Sequence, residues 1–312
     1  MIAISRMRAI LQFRRKTGSR WTIVANAFPL CVVFLFSLAH FSHCADLEEI
    51  QKRGVLLHLG VPYANFVTGS GDGLDVELMK LFAEHLGVGY QYVPSNWTDV
   101  IADLTGKRFS FEGESVRVVA EVPVRGDVIA SGMTILPQRR KVISFGTPTF
   151  PTQVWLVARH DSSLSPILPS GDMVRDIASV KSQLKGRDVL GIADTCIDPD
   201  LYHLKDIGAR TRCFTGKLNE LAPAIINGEA ELTLLDVADS IIALEKWPGK
   251  LKVIGPISPV QDMSCAFSPE ADRLRQSFNT FFDQIRRDGT YSRLVRKYYP
   301  TAPAHFPEFF EK

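Results

Sequence analysis

The sequence predicts an α/β protein built as two βαβ lobes of similar size. Three observations carry this. Strand-like apolar runs alternate with helix-period segments over residues 55–130, and the same order returns over 188–246. Between them, residues 126–159 run from a short β-type stretch through Ser131-Gly132 and Thr134 to Pro137 and two arginines, Arg139 and Arg140. With 312 residues and 46% hydrophobic content, the chain is long and apolar enough for one large or two ordinary cores, and nothing in it reads as disordered.

Residues 1–45 stand apart from this globule. Arg6, Arg8, Arg14, Arg15, Lys16 and Arg20 precede the apolar run 27–39, and small residues follow at Ser42, Cys44 and Ala45. The pattern is that of a secretory signal peptide; the run contains Pro29 and falls short of the roughly 20 residues of a spanning helix. The expected location is therefore the periplasm. The leader holds six of the 36 Lys+Arg and none of the 34 Asp+Glu, so the remainder has 30 basic against 34 acidic residues and a net charge of −4. A mildly acidic surface argues against nucleic acid as a partner.

The mature chain opens with a helix over 46–52 that stops at Gly54, then a strand over 55–61 and an aromatic loop, 62–66. Gly73 leads into a helix over 76–86, where Val76, Met79, Phe82 and Leu86 have helical spacing and Gly87 ends it. A strand over 89–93 and a short helix over 99–104 follow. Residues 105–123 read as a charged insertion with a hairpin around 109–119, before the core strand 127–130. In the second half, strands are expected at 188–192, 210–214 and 231–235, with helices at 199–207, 218–227 and 237–246.

The stretch 126–159 brings a hydroxyl, free backbone N–H groups and a guanidinium to one place, a device for holding a small carboxylate. Two adjacent helix residues point about 100° apart, so only one of Arg139 and Arg140 can face such a site. No G-x-S-x-G, H-E-x-x-H or phosphate-binding glycine loop is present, and no Cys or His pair has zinc spacing, so neither a catalytic site, a metal site nor a cofactor is expected.

Several phrases carry a family resemblance: Gly73-Leu74-Asp75-Val76-Glu77-Leu78, Gly132-Met133-Thr134-Ile135-Leu136-Pro137-Gln138-Arg139, Asn227-Gly228-Glu229-Ala230-Glu231 running to Asp236, and Asp288-Gly289-Thr290-Tyr291 with Lys297-Tyr298-Tyr299. From about residue 46 to 299 the chain resembles the family 3 extracellular solute-binding proteins. The resemblance implies a type II periplasmic-binding fold, with lobe 1 formed by 46–154 plus 266–312, lobe 2 by 155–265, and hinge strands near 153–158 and 264–267 closing on a ligand cleft. It also implies a monomer that captures an amino acid or related organic acid for an inner-membrane ABC permease.

Carried over residue by residue, the resemblance places Arg139 on the ligand carboxylate, with Thr134, Gly132 and nearby N–H groups adding bonds. It places Asp236 on the α-amino group, and Thr195 on the carboxylate from the second lobe. At Asp236 the alternative is a plain helix N-cap. Tyr63, Phe66 and Trp97 are the expected aromatic walls, and Phe145 and Phe150 are assigned to the core. Two departures stand out. Asp194 occupies the place of a family glycine before Thr195, and Leu136 that of a capping Thr or Ser. In an exported chain, Cys196 and Cys213 are expected to form a disulfide, leaving Cys265 free. Other roles on the same fold are a periplasmic dehydratase of the cyclohexadienyl dehydratase type and a non-transport accessory or sensor module of a periplasmic enzyme.

Overall fold

A computed structural model of the chain describes residues 44–112 and 115–310. The expected leader lies outside these residues except for Cys44 and Ala45. The described chain begins with helix α1 (Leu47–Arg53), strand β1 (Val55–Gly60), α2 (Leu74–His85), β2 (Gly89–Pro94) and α3 (Val100–Thr105). It continues through the hairpin β3 (Lys107–Glu112) and β4 (Ser115–Glu121), then β5 (Val128–Ile129), the single turn α4 (Pro137–Arg140), β6 (Ser144–Phe145), β7 (Phe150–Thr152) and β8 (Val154–Arg159). The middle of the chain forms α5 (Met173–Ser182), β9 (Asp188–Gly191), β10 (Arg210–Cys213), α6 (Leu221–Ile226), β11 (Leu232–Asp236) and α7 (Val237–Lys246). It closes with β12 (Leu251–Pro256), β13 (Gln261–Met263), β14 (Ala266–Phe267), α8 (Asp272–Arg287), α9 (Thr290–Tyr298), α10 (Ala302–His305) and α11 (Pro307–Phe310).

Two five-stranded sheets result. The first has the order β2-β1-β5-β14-β6, and the second β10-β9-β11-β8-β12. In each, three parallel strands supplied by βαβ units are extended by antiparallel strands from elsewhere in the chain. The chain leaves the first sheet after β6 and returns to it through β14. Between these points β7 and β13 pair with each other, Phe150 opposite Met263 and Thr152 opposite Gln261. The crossing is tied to its surroundings by Gly146 N–H to the Cys265 carbonyl (3.0 Å), Thr149 N–H to the Met263 carbonyl (2.8 Å), and Tyr291 Oη donating to the Thr149 carbonyl.

Local chemistry explains the element ends. Asp46 and Glu49 form a capping box on α1, and Gly54 closes that helix at φ +77°. On α8, Phe278, Phe281 and Phe282 are all buried, and Phe278 and Phe281 lie against Phe82 of α2. One expected helix is different: 199–207 is two 3-10 turns, Pro199–Tyr202 and Lys205–Ile207, broken at His203 with φ +54°. The break lets Tyr202 turn inward to donate its hydroxyl to the Cys196 carbonyl. Residues 218–227 likewise begin as a 3-10 turn, Leu218–Glu220, before α6. Helix α5 and strand β12 were not anticipated. Most of α5 is solvent-facing, with only Asp176 and Val180 buried, so its apolar period is faint.

The first sheet also contains a buried titratable group. His58 on β1 is fully enclosed, its Nδ1 2.9 Å from Tyr90 Oη and its Nε2 2.7 Å from the Ala130 carbonyl. The carbonyl needs a donor, which places the proton on Nε2. Burial pushes the imidazole down to about 4, well below its ordinary value of 6.5. An unfolded chain therefore takes up this proton first. The stabilisation is whole above pH 6.5 and is lost as pH falls from 6.5 towards 4, amounting to about 3 kcal/mol across that window. Replacement His58→Gln should flatten that part of the stability–pH curve in urea unfolding titrations; an unchanged slope would show that His58 does not set it.

Candidate functional site

The site lies where the ends of strands from both sheets meet. Beyond β1 the chain turns through Tyr63 to Val67, closed by a bridge between those two residues. Beyond β5, Ser131 Oγ accepts from Val61 N–H (2.8 Å), which clamps this loop to the next. Gly132 follows with φ +61°, and its N–H donates to Asp75 Oδ2 at 2.7 Å. A Cβ at Gly132 would lie 2.5 Å from Phe66 Cδ2, so glycine is needed for space as well as for backbone conformation. The Asp75 carboxyl is buried and pushed up to about 7 by desolvation, against the opposing effect of the Gly132 N–H.

Thr134 is bridged to Met263, and Ile135 N–H donates to the Asp262 carbonyl (2.8 Å), so the segment entering α4 is stitched to the crossing strand β13. Leu136 takes the N-cap position with no side-chain bond and is buried instead. The two arginines of α4 diverge as helix geometry demands. Arg140 is exposed, lying over the Phe145 ring at 5.8 Å. Arg139 is only 7% exposed; its Nη1 donates to the Thr134 carbonyl at 2.9 Å, and its guanidinium lies 6.0 Å from the Trp97 ring centroid. Among the described residues it makes no ion pair. Burial works against its charge, partly offset by the Cys196 thiol and Tyr202 phenol nearby.

The second sheet supplies the opposite wall. Asp236 ends β11 and is buried. Its Oδ1 accepts from Asp239 N–H (3.1 Å) and so caps α7, while its Oδ2 accepts from Tyr63 Oη and lies 3.9 Å from Cys196 Sγ. Both alternatives foreseen for this residue are thus compatible in one side chain: one oxygen caps and the other faces the cleft. Desolvation raises its carboxyl above the usual range, while the Tyr63 hydroxyl, the helix N–H groups and the Cys196 thiol act in the other direction.

A small void of about 10 Å³ remains at the centre, bordered by Tyr63, Trp97, Gly132, Thr134, Arg139, Thr195, Cys196, Leu218 and Asp236. The Thr134 hydroxyl and the Trp97 indole N–H are both buried with no hydrogen-bond partner of normal geometry among the described residues, the former facing the Cys196 thiol. A wider cavity of about 290 Å³ adjoins it through Trp97, Arg139 and Thr195, and its outer wall includes Asp194, Asp198 and Phe111 of the hairpin.

Thr195 uses its hydroxyl inside its own loop, donating to the Ile192 carbonyl (2.7 Å) and accepting from Ile197 N–H (3.2 Å). Among the described residues the backbone N–H groups of Thr195 and Cys196, both of which border the void, donate to no other group. Asp194 explains the glycine expected before it, since this position has φ +60°, a conformation Asp tolerates better than most side chains. Its side chain is exposed and turned to the outer cavity.

Three expectations are corrected. Phe66 does not line the void. It is fully buried among Tyr63, Phe150 and Tyr299, with ring centroids 5.6, 5.2 and 5.0 Å away, and acts as the floor beneath Gly132. The Gly132 N–H is taken by Asp75 and is not offered to the cleft. Cys196 and Cys213 are both free. Cys213 pairs in register with Gly191 on the exposed edge strand β10, whereas Cys196, five residues past Gly191, turns inward to Asp236. Burial and the neighbouring carboxylate push the Cys196 thiol up to about 12, so it stays protonated. Cys196, Leu218 and Asp75 were missed as site residues; the packing that brings them here leaves no local pattern in the sequence.

Comparison with known proteins agrees with this architecture. Residues 124–301 match the model of the bacterial extracellular solute-binding proteins, family 3. A membrane-bound lytic murein transglycosylase F of Desulfosudis oleivorans is 26% identical over 91% of this chain, although the chain spans only 57% of that protein's length. A probable amino-acid ABC transporter-binding protein of Haemophilus influenzae is 26% identical, the alignment covering 81% of this chain and 88% of that protein. Among solved structures, holo ArgBP from T. maritima aligns with a TM-score of 0.60 at 25% identity, over 81% of this chain and 99% of that one. The fold is also shared with an ancestral amino acid-binding protein described as a precursor of cyclohexadienyl dehydratase, with a TM-score of 0.62 at 22% identity over 81% and 98% of the two chains. On its matched sequence and its two-sheet architecture, the chain belongs to the bacterial extracellular solute-binding proteins, family 3.

Proposed function

We propose that this protein is a periplasmic receptor for a small amino-acid-like carboxylate, which it delivers to an ABC-type importer. The observation that carries the proposal is Arg139: a buried guanidinium with no anionic partner among the described residues, in the same void as the buried carboxylate of Asp236. A buried charge is stable only when paired, and a planar carboxylate matches the guanidinium fork. A ligand bearing both an anion and an ammonium group would satisfy Arg139 and Asp236 together. The backbone N–H groups of Thr195 and Cys196 and the Thr134 hydroxyl would add bonds to the anion. The binding-protein relatives support the ligand class, and their association with transporters supports the importer.

The Tyr63 hydroxyl now holds the Asp236 oxygen that an ammonium group would take. On this reading it acts as a stand-in that the ligand displaces, while the Trp97 and Tyr63 rings, 5.8 Å apart and edge to face, border the ligand's carbon skeleton. Lobes 46–154 plus 266–312 and 155–265 would then move about the hinge strands near 153–158 and 264–267 to admit it.

A thermal-shift panel of amino acids and organic acids tests the proposal. The expected result is a concentration-dependent rise for one carboxylate class, about 2.7 kcal/mol of added stability at a hundred times the dissociation constant. No shift with any carboxylate would end the receptor reading. A carboxyl raised by burial, as at Asp236, is the kind of proton donor a dehydratase uses, so prephenate and arogenate belong in the panel. Loss of substrate absorbance with either would replace the receptor by an enzyme.

A further inference from the structure

A second chamber, of about 300 Å³, opens on the far side of Tyr63 between the loop 64–68 and helices α6 and α7. Its floor is apolar, formed by Leu218, Ala222, Leu235, Ile242 and Ala243, and its rim carries Asn65, Thr68 and Asn219. One acidic side chain, Asp239, lines it. Asp239 is 8% exposed, and its Oδ2 is buried with no hydrogen-bond partner among the described residues. We propose that this chamber binds the ammonium group of a small aliphatic amine, with Asp239 as its counter-ion and the apolar floor against its methylene chain.

No cation among the described residues pairs with Asp239. The ionisable groups facing it are Asp236 on the preceding strand end, Tyr63 and Tyr299 from the first-sheet side, and Cys196 from the loop after β9. None of them is a cation, and Tyr63, Tyr299 and Cys196 hold their protons and are neutral. Lys246, one helix end away in the same chamber wall, is exposed and lies over the Trp247 ring at 4.8 Å. It makes no ion pair with Asp239. Desolvation and the neighbouring Asp236 hold the Asp239 carboxyl far above its ordinary value, so without a ligand it keeps its proton. An ammonium ion would supply the missing partner and form a charge-assisted bond to the carboxylate, the proton passing to solvent. The volume lies at the lower end of ligand cavities, which limits the occupant to a short chain.

The chamber shares only Leu218 with the void around Arg139, so the two sites are separable. Titration calorimetry with n-butylamine, and with butyrate as a control of the same length, tests the proposal on the purified protein. Amine binding should release close to one proton, read from the dependence of the heat on buffer ionisation enthalpy. In Asp239→Asn the affinity should fall at least tenfold and the proton release should vanish. Asn219→Trp, an exposed rim change that leaves the core untouched, should also weaken amine binding. Arg139→Met should leave it within twofold, whether or not that variant still binds a carboxylate. Absence of n-butylamine binding, equal binding of butyrate, or unchanged amine affinity in both Asp239→Asn and Asn219→Trp would overturn the assignment.

Discussion

Replacing Arg139 with Met should remove carboxylate binding while leaving the unliganded protein as stable as before, or more so. The guanidinium is buried, holds one neutral partner in the Thr134 carbonyl, and has no carboxylate within ion-pair distance among the described residues. In the absence of ligand its desolvation is therefore poorly compensated, and a long apolar side chain of similar reach removes that penalty. Exchanging buried charges for well-packed apolar groups is often neutral or stabilising. With ligand the balance reverses, because truncating one partner of a buried charge pair costs about 2–5 kcal/mol. The affinity for whichever carboxylate stabilises the wild type should thus drop about 30- to 4,000-fold. Two melting curves per protein, with and without ligand, decide it: Arg139→Met should melt at or above the wild-type temperature when empty and show little ligand-induced rise. If the empty variant melts several degrees lower, the arginine is structural. If the ligand-induced rise persists, the carboxylate anchor lies elsewhere.

Gly132→Ala should be the most destabilising single-methyl change at the site. The backbone there has φ +61°, which costs an L-residue roughly 1–2 kcal/mol. The new Cβ would also stand 2.5 Å from Phe66 Cδ2. Phe66 cannot retreat, because Tyr63, Phe150 and Tyr299 surround it and it is fully buried. Overpacking of this kind adds about 1–3 kcal/mol. A total loss of about 2–5 kcal/mol in chemical unfolding is expected, together with weaker ligand binding, since Thr134 and Arg139 follow Gly132 on the same segment. Combining the change with Phe66→Leu should recover part of the loss by making room; a double variant no more stable than Gly132→Ala alone would show that backbone conformation, and not the ring, dominates.

Much of this was legible in the residues themselves. The alternation of apolar period, the glycines at 54 and 87 that end helices, and the hairpin in 105–123 come from local preferences, which a linear chain displays directly. The association of Thr134 with Arg139 came from the family resemblance and its five-residue spacing; in the structure the Arg139 guanidinium donates to the Thr134 carbonyl. Asp236 showed itself by lying at a strand end just before a helix. The tertiary structure decided matters that depend on which groups share a buried space. It put Phe66 under Gly132 instead of in the cleft, because a fully apolar ring gains more from the aromatic core than Tyr63, whose hydroxyl needs a polar partner. It turned Cys196 away from Cys213, since one faces the interior beside Asp236 and the other sits on an edge strand. It enclosed His58, Asp75 and Asp239 among groups distant in sequence. The sequence by itself determined the two-sheet alternation and the strand-to-helix turn that carries Thr134 and Arg139, because these arise from bonding between near neighbours. Only the fold determined which charges lack partners, because desolvation belongs to the assembled interior and to no short stretch of chain.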